Sequence, residues 1–546
     1  MKYSVVKTDA LVIGSGLSGL MAARALTKKL PSAKILIIGN GLGASPYVHG
    51  FNIPLHGDDS VECFKQDTMV GGRDQSKEEL VDVLCNGSVE LKGVLEELGI
   101  EFNRKNGEYS LLRPLGSTHP RVASVGNHTG VAIMNAIRRE FANNSNISDM
   151  KDTRALRLFR MDGRIVGALV YNIPEKKFVF IEAAATVLAC GGFCNIYPFS
   201  TNMSDIGGDG IAMAFGAGAD LCDLEYVQFE PSAAVAPAGV RGKSVITTMY
   251  YEGAVLRNTL GERFMLKYSN DAECVNKDVQ SRYIFKEIKE GRGTENGGVF
   301  FDCTGVGRDR LNEQYDSYVK RYSDVGIDIA TTPFEIAPAP HTSLGGIVVD
   351  EKCFSGVEGL FACGEMIGGL HGANRLGGNA GLETMVFGRI AGDSVADYLA
   401  DASALEITAD DVEDFVCDTL SLSGDKAVTL EKLDALRADM QKVLSDKLNV
   451  LRCGEELAEA IDAFGEMLDE LDESTLEGVD DEIAFKTLRL VNDLQTAYLL
   501  AISAYTRTET SGCHVRTDDG DKEAEEKYRV VISNTPEGAA VIKESI

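Results

Sequence analysis

Twelve cysteines occur in this chain, yet no two of them are spaced as CxxC. They stand apart at Cys63, Cys85, Cys190, Cys194, Cys222, Cys274, Cys303, Cys353, Cys363, Cys417, Cys453 and Cys513. Dispersed cysteines in a cytoplasmic chain serve as small buried thiols more readily than as ligands, so neither a metal site nor an iron–sulfur cluster is expected here. Long apolar runs are absent too: no stretch reaches about 18 residues, the length that would suggest a membrane span. No Arg-flanked apolar leader precedes the first apolar strand. The expectation is a soluble cytoplasmic protein without direct membrane insertion. Positive charge is in deficit, with 54 Lys and Arg against 83 Asp and Glu, a net charge of −29 at pH 7. Nucleic acids and anionic membrane surfaces are polyanions that repel such a chain. The acidic surface is read as solubilising, and nucleic acid is excluded as a partner. Internal repeats and low-complexity linkers are also missing.

Glycine, by contrast, is plentiful, at 57 of 546 residues, above its usual share. The length suffices for two or three domains and a sizeable core. Near the start, the apolar run Ala10 to Ile13 leads into Gly14-Ser15-Gly16-Leu17-Ser18-Gly19 and then into the helical run LMAARAL. In a strand-turn-helix context a GxGxxG motif signals a tight turn, close backbone approach to a pyrophosphate and a helix N-terminus that favours an anion. The next strand, Lys34 to Ile38, ends in Gly39-Asn40, where an acid usually takes the ribose hydroxyls. Asn40 is the candidate here, with a neutral side chain. No second nucleotide motif in such a context appears, which argues against a separate NAD(P)H site.

The richest segment runs from His341 to Gly392 and includes HTSLGGIVVD and GLFACGEMIGGLHGANRLGGNAGLETMVFGRIAG. Its glycines allow backbone to approach a ligand closely. His341, Glu365, Arg375, Asn379 and Glu383 are polar groups that a plain core has no need of, so the segment reads as a cofactor and substrate wall. It resembles the FAD-facing segment of the fumarate reductase, succinate dehydrogenase and L-aspartate oxidase flavoprotein family. In that family a histidine before Gly-Gly and the arginine of the HGANR run hold a substrate carboxylate.

Three further stretches carry the resemblance: TVLACGG at Thr186 to Gly192, with Cys190 where the family commonly has threonine; the run from Ser200 to Pro231, with Asn202, the GDG at Asp209 and Gln228-Phe229; and the terminal TRTETSGCH. The likeness spans nearly the whole chain. It implies an α/β fold, with a Rossmann-like FAD-binding domain, an inserted α+β capping domain and a C-terminal helical domain. The expected ranges are 1–231 with 339–403 for FAD binding, 232–338 for the cap, and 404–546 for the helical domain and tail. Leu457, Ile461, Phe464, Leu468 and Leu471 recur at helical spacing and read as core. ITADDVEDF reads as a solvated helix start. Cofactor contacts are expected from Gly14, Ser15, Gly16, Leu17, Ser18, Gly19, Asn40, Ser45, Cys190, Gly191, Gly192, Asn202, Asp209, Gly364, Glu365, Arg375, Gly378, Asn379 and Leu382.

Departures from the family pattern bear on the chemistry. Relatives that tether FAD do so through the histidine of an SHT run; Ala44 stands at that place, so FAD is expected to be non-covalent. His49 stands where the family has Gln or Glu, and reads as a polar contact near the flavin. His341 and Arg375 match the family's carboxylate grip, and the planar fork of arginine suits that task. The opposite end of the substrate site is rewritten: Glu230 replaces a histidine, Thr247 follows Ile246 where a Thr-Glu pair is usual, and Tyr250 takes an arginine's place. Ser117 is a further substrate contact implied by the resemblance.

A carboxylate at 230 facing a second substrate carboxylate would be repelled by roughly 4 kcal/mol at 4 Å, which disfavours a dicarboxylate such as fumarate. The family's proton-donating arginine becomes Lys277, with Asp278 beside it and Arg282 as a substitute donor. Together these imply an FAD-dependent reductase of an α,β-unsaturated carboxylate other than fumarate. Hydride would come from flavin N5 and a proton from Lys277. Two other readings stay open: an amino-acid oxidase or dehydrogenase resembling L-aspartate oxidase, and a flavin-bearing electron-transfer subunit. The expected partners are a small-molecule substrate and an external electron donor, either an iron–sulfur or a flavin protein.

Overall fold

The computed structural model describes residues 3–55, 57–126, 128–402, 406–422, 424–518 and 525–546. The expected boundary at 403 and 404 lies outside these residues. The first strand, Tyr3–Ile13, extends well before the apolar run Ala10 to Ile13. Its leading half is only partly covered, but it pairs in parallel with Lys177–Leu188 along almost its whole length. Ile35–Gly39 joins on the other edge and Ile147–Lys151 lies beyond it, all parallel. Helix Leu17–Lys29 links the first two strands and turns its buried face, Leu17 to Leu26, onto the sheet and onto helix Asn379–Asp401. This is the Rossmann arrangement, which leaves a ligand crevice at the carboxyl ends of the strands.

Strand Lys177–Leu188 is shared between two partners on its far edge. Its first half pairs antiparallel with Arg164–Asn172, and its end pairs in parallel with Leu360–Ala362. The chain therefore leaves this layer after Leu188 and returns to it only at Leu360.

Between those points lies a second sheet, ordered Val227–Ala234, Phe334–Ser343, Val299–Asp302, Val255–Arg257 and antiparallel throughout. Helix Lys277–Glu287 is laid against its first strand, where Ser281 Oγ donates to Phe229 O at 3.3 Å. The second sheet has its own apolar core, including Met249, Leu256, Phe264, Phe301, Tyr322 and Phe334. We propose the domain ranges given above as the division of the chain, because the buried members of that core run only from Ala234 to Ile336.

Towards the C-terminus, helices Ala409–Thr419, Leu430–Lys447, Gly454–Asp472 and Asp481–Thr506 follow. In Gly454–Asp472 the residues Leu457, Phe464 and Leu471 are buried, with Ile461 and Leu468 partly so. Thr408 and Asp411 form a capping box that starts the first of these helices, which accounts for the acidic run there. The tail is not helical. Tyr528–Thr535 and Gly538–Ser545 form a hairpin whose first strand pairs with Leu221–Cys222. The β-branched run at Val530, Val531 and Ile532 is buried and favours a strand.

Candidate active site

Gly14 has φ +127°, and a Cβ on it would lie 2.0 Å from Ala189 O. Only glycine lets the end of the first strand pass so close to its neighbour. A Cβ on Gly19 would lie 2.0 Å from Gly14 O, so the helix also packs against the loop without a side chain between. Gly16, at the helix N-cap, offers no side-chain cap, and Leu17 N donates to Ser45 Oγ at 2.8 Å. The remaining free N–H groups of that first turn suit a pyrophosphate.

Beside the loop lies a cleft with about 1080 Å³ of empty space, counted together with the solvent at its mouth. Of the expected residues, Gly14, Ser15, Gly16, Ser18, Asn40, Ser45, Cys190, Gly191, Asp209 and Glu365 line it. The others stand outside that wall. Leu17 and Leu382 are buried core. Gly192 approaches Glu365 and Ser343, Gly364 backs onto Ser18, and Gly378 backs onto Asn52. Asn379 accepts from Asn52 Nδ2 at 2.6 Å. Asn202 turns away: its amide donates to His341 O at 3.3 Å and its oxygen accepts from Met203 N at 2.9 Å, so it shapes the His341 backbone.

Thr153, Arg154, Ala155, Asp205 and Glu383 also line the cleft, and the sequence singles out only the last of these as a polar group. Arg154 matters most among them. It is buried, its Nε donates to Asp209 Oδ2 at 2.5 Å, and its Nη1 has no hydrogen-bond partner among the described residues. Leaving a buried guanidinium donor unpaired is costly, so this wall fits an anionic, hydrogen-bond-accepting dinucleotide. Asp209, expected to contact the cofactor, has both oxygens engaged, by Arg154 and by Asn492 Nδ2 at 2.9 Å. Burial would raise its pKa, but Arg154 and Arg489 hold it below the usual range. Burial pushes the Cys190 thiol up to about 12, which keeps it protonated and unreactive. Burial likewise raises Glu365 to about 7, although Ser343 N donates to it at 3.0 Å and Arg375 lies nearby.

Two polar groups expected to bind one end of the substrate, His341 and Arg375, stand outside the cleft's lining and close to each other. His341 Nδ1 lies 2.8 Å from the Thr201 hydroxyl. Burial, and then the charges of Lys277 and Arg375, push His341 well below the ordinary imidazole range, so the ring is neutral. Arg375 is 7% exposed, its Nη1 donates to Leu376 O at 3.2 Å, and its Nε has no partner among the described residues. Gln228 Nε2 braces its backbone by donating to Arg375 O at 3.0 Å. Burial lowers the pKa of Arg375 despite Glu365, Glu383 and Glu230, yet a guanidinium remains charged. His49 is held below its usual value by burial and then by Lys277.

The other end differs from the sequence expectation. Glu230 does not face the cleft as a free carboxylate: Lys277 Nζ donates to its Oε2 at 2.5 Å, and the carboxylate side chain is 3% exposed. Two residues expected to act separately thus form one ion pair, because the cap helix lies directly on the strand that carries Glu230. Asp278 pairs instead with Arg73, at 2.5 Å. Arg282 lies over the Tyr283 ring, 5.7 Å from its centroid. Tyr250 is drawn into the cap core, where it packs on Phe301 and its OH lies 2.9 Å from Ser232 Oγ. Thr247 is buried at the start of the turn Thr247–Glu252. Ser117 is buried as well, its hydroxyl accepting from Arg121 Nη1 at 2.8 Å within a network that joins Arg121 to Asp59 and Asp67.

Arg73 was not anticipated. It has φ +60° and Asp74 has φ +52°, a left-handed pair costing roughly 1–2 kcal/mol per residue. A helix ending in Gly71-Gly72 advertises a turn here, but nothing in the residue types announces a strained arginine.

Two family descriptions match the chain: an FAD binding domain over residues 9–380 and a fumarate reductase flavoprotein C-terminal region over residues 437–541. A subunit of the CoM/CoB fumarate reductase of Methanothermobacter marburgensis is 33% identical, over 98% of this chain and 99% of that protein. L-aspartate oxidase 2 of Ralstonia nicotianae is 30% identical, over 95% of this chain and 92% of its own length. A solved structure of Escherichia coli quinol fumarate reductase superposes with a TM-score of 0.89 at 26% identity, covering 100% of this chain and 97% of that one.

Proposed function

Since the chain belongs to the fumarate reductase, succinate dehydrogenase and L-aspartate oxidase flavoprotein family, we propose that this FAD-dependent oxidoreductase reduces the C=C bond of an α,β-unsaturated monocarboxylate. FAD supplies the hydride. The Gly14–Gly19 loop would hold its pyrophosphate and Asn40 its ribose, while Arg154, Glu365 and the Cys190–Gly192 turn would hold the remainder. With Ala44 at the tether position, attachment would be non-covalent.

Arg375 would grip the substrate carboxylate, using the Nε that has no partner among the described residues. Neutral His341, braced by Thr201, would hydrogen-bond to the same group and draw electron density toward it. That polarisation readies the distal carbon for reduction. Lys277 would deliver the proton to the carbon next to the carboxylate, with Glu230 fixing the position of its Nζ. Glu365, on the cleft wall, would complete the near end.

The Glu230–Lys277 ion pair carries this reading. Lys277 is answered by its own carboxylate, whereas the Arg375 Nε is left open among the described residues, and one open cation matches one carboxylate. A second carboxylate would have to displace Glu230 from Lys277, with the two acids then opposing each other by roughly 4 kcal/mol at 4 Å.

The test is anaerobic photoreduction of the FAD-loaded protein, followed by the return of oxidised-flavin absorbance with fumarate, urocanate, cinnamate and imino acids. Fast reoxidation by a monocarboxylic enoate, with fumarate slow, is expected. Fumarate outpacing every monocarboxylate would sink the proposal.

The 30% identity to an L-aspartate oxidase supports a second reading, oxidation of an amino acid. Peroxide release on adding amino acids in air would select it. The electron donor we assign to a separate protein, since one relative is named as one subunit of a larger reductase.

A further inference from the structure

We infer that Arg73 is a positioning residue, which clamps the cap helix so that Lys277 stays over the cleft; the inference rests on the proton-donor role proposed for Lys277. Lys277 and Asp278 are consecutive residues at the start of helix Lys277–Glu287, and they are held by different partners. Lys277 is tied to Glu230, on the strand beneath the helix. Asp278 is tied to Arg73, which follows helix Val61–Gly71 and belongs to the nucleotide-binding side of the molecule. The first turn of the cap helix is thereby fastened at two points, to the strand that carries Glu230 and to the turn after helix Val61–Gly71.

The pair is suited to that task. The Asp278 side chain is 2% exposed, and its Oδ1 has no hydrogen-bond partner among the described residues. Any movement of the cap away from Arg73 would therefore strand a buried carboxylate. The turn that carries Arg73 is rooted on its own side: Arg73 N donates to Val70 O at 3.1 Å, Asp74 N donates to Met69 O at 2.9 Å, and Asp74 pairs with Lys527 at 3.3 Å. Glycine would occupy φ +60° without strain, so an arginine there costs backbone energy and gives only its side chain in return.

The experiment compares FAD-loaded wild type with Arg73→Gly, Asp278→Asn, the double variant and Arg73→Lys. Amide hydrogen exchange over residues 280–287 should quicken about tenfold in either single variant and no further in the double, with Arg73→Lys near wild type. Arg73→Gly relieves the left-handed strain but strands the Asp278 carboxylate, so its melting temperature should fall, and adding Asp278→Asn should recover most of that loss, which separates loss of the clamp from loss of the fold. With the fastest enoate of the panel, kcat should fall roughly ten- to a hundredfold with KM nearly constant, and Arg73→Lys should restore most of it.

Unchanged exchange in Arg73→Gly, or additive effects in the double variant, would overturn the inference. If Lys277→Met keeps its turnover while Arg73→Gly still loosens the helix, the proton-donor reading fails and the clamp stands.

Discussion

The two ends of the proposed substrate space are built on opposite principles. At His341 and Arg375 the protein leaves hydrogen-bonding capacity open: a guanidinium Nε without a partner among the described residues, and an imidazole stripped of charge by burial and by neighbouring cations. At Glu230 and Lys277 the capacity is closed, each charge answered by the other. An open buried cation is unstable until an anion arrives, whereas a closed pair resists one. The difference teaches that ligand selection here is a matter of where charge is left uncompensated, and a count of acids and bases in the cleft would miss it.

The largest test of that contrast is Arg375→Met. Removing the open cation should lower kcat/KM for a carboxylate substrate about a thousandfold, with the flavin spectrum retained. A loss below tenfold would mean that the near end does not bind the acid.

Lys277→Met comes next. It should reduce kcat roughly a hundred- to a thousandfold while FAD remains bound, measured by single-turnover reoxidation of the reduced protein.

Glu365→Gln sharpens the open end through pH. The folded pKa of Glu365, about 7, lies above its ordinary value of 4.5. The protonated acid is the form the fold favours, so its contribution is fully present below pH 4.5 and is lost as pH rises through 7. Glutamine mimics that form, and the variant should therefore gain stability over wild type between pH 5 and pH 8, by on the order of 1–3 kcal/mol. Thermal unfolding at the two pH values decides it.

Glu230→Gln has the smallest expected effect and strikes at the closed end. Freeing the Lys277 charge should improve fumarate relative to a monocarboxylate about tenfold in kcat/KM. An unchanged ratio would show that the pair does not set selection.

Much of the framework was legible because local chemistry carried it. Gly19 is required by a contact with Gly14 within the motif itself, and the helical spacing from Leu457 to Leu471 is a property of one segment. The family resemblance placed His341 and Arg375, and the structure sets both near one cleft. The far end was misjudged for a different reason. Glu230 and Lys277 are 47 positions apart in the chain, and their pairing depends on a helix lying across a strand, which no spacing reveals. Asn202 and Ser117 match the family by position, but their side chains are claimed by His341 and by Arg121. Arg73 lay beyond reach altogether, since its partner is 205 positions away and its backbone conformation runs against residue preference.

The order in which the sheets are closed has a consequence for how the chain is made. Tyr3 pairs with Phe178, Thr186 with Leu360, and Leu221 with Ile532. A ribosome adding about 5–20 residues per second leaves the first strand without Lys177–Leu188, one of its two parallel neighbours, for on the order of ten seconds, and Leu221 without its partner Ile532 for longer still. Throughout that interval unpaired strand edges are exposed to other nascent chains. The hairpin Tyr528–Ser545 emerges long after Leu221–Cys222, the strand it pairs with, and a chain that stopped short of it would leave that strand with an open edge.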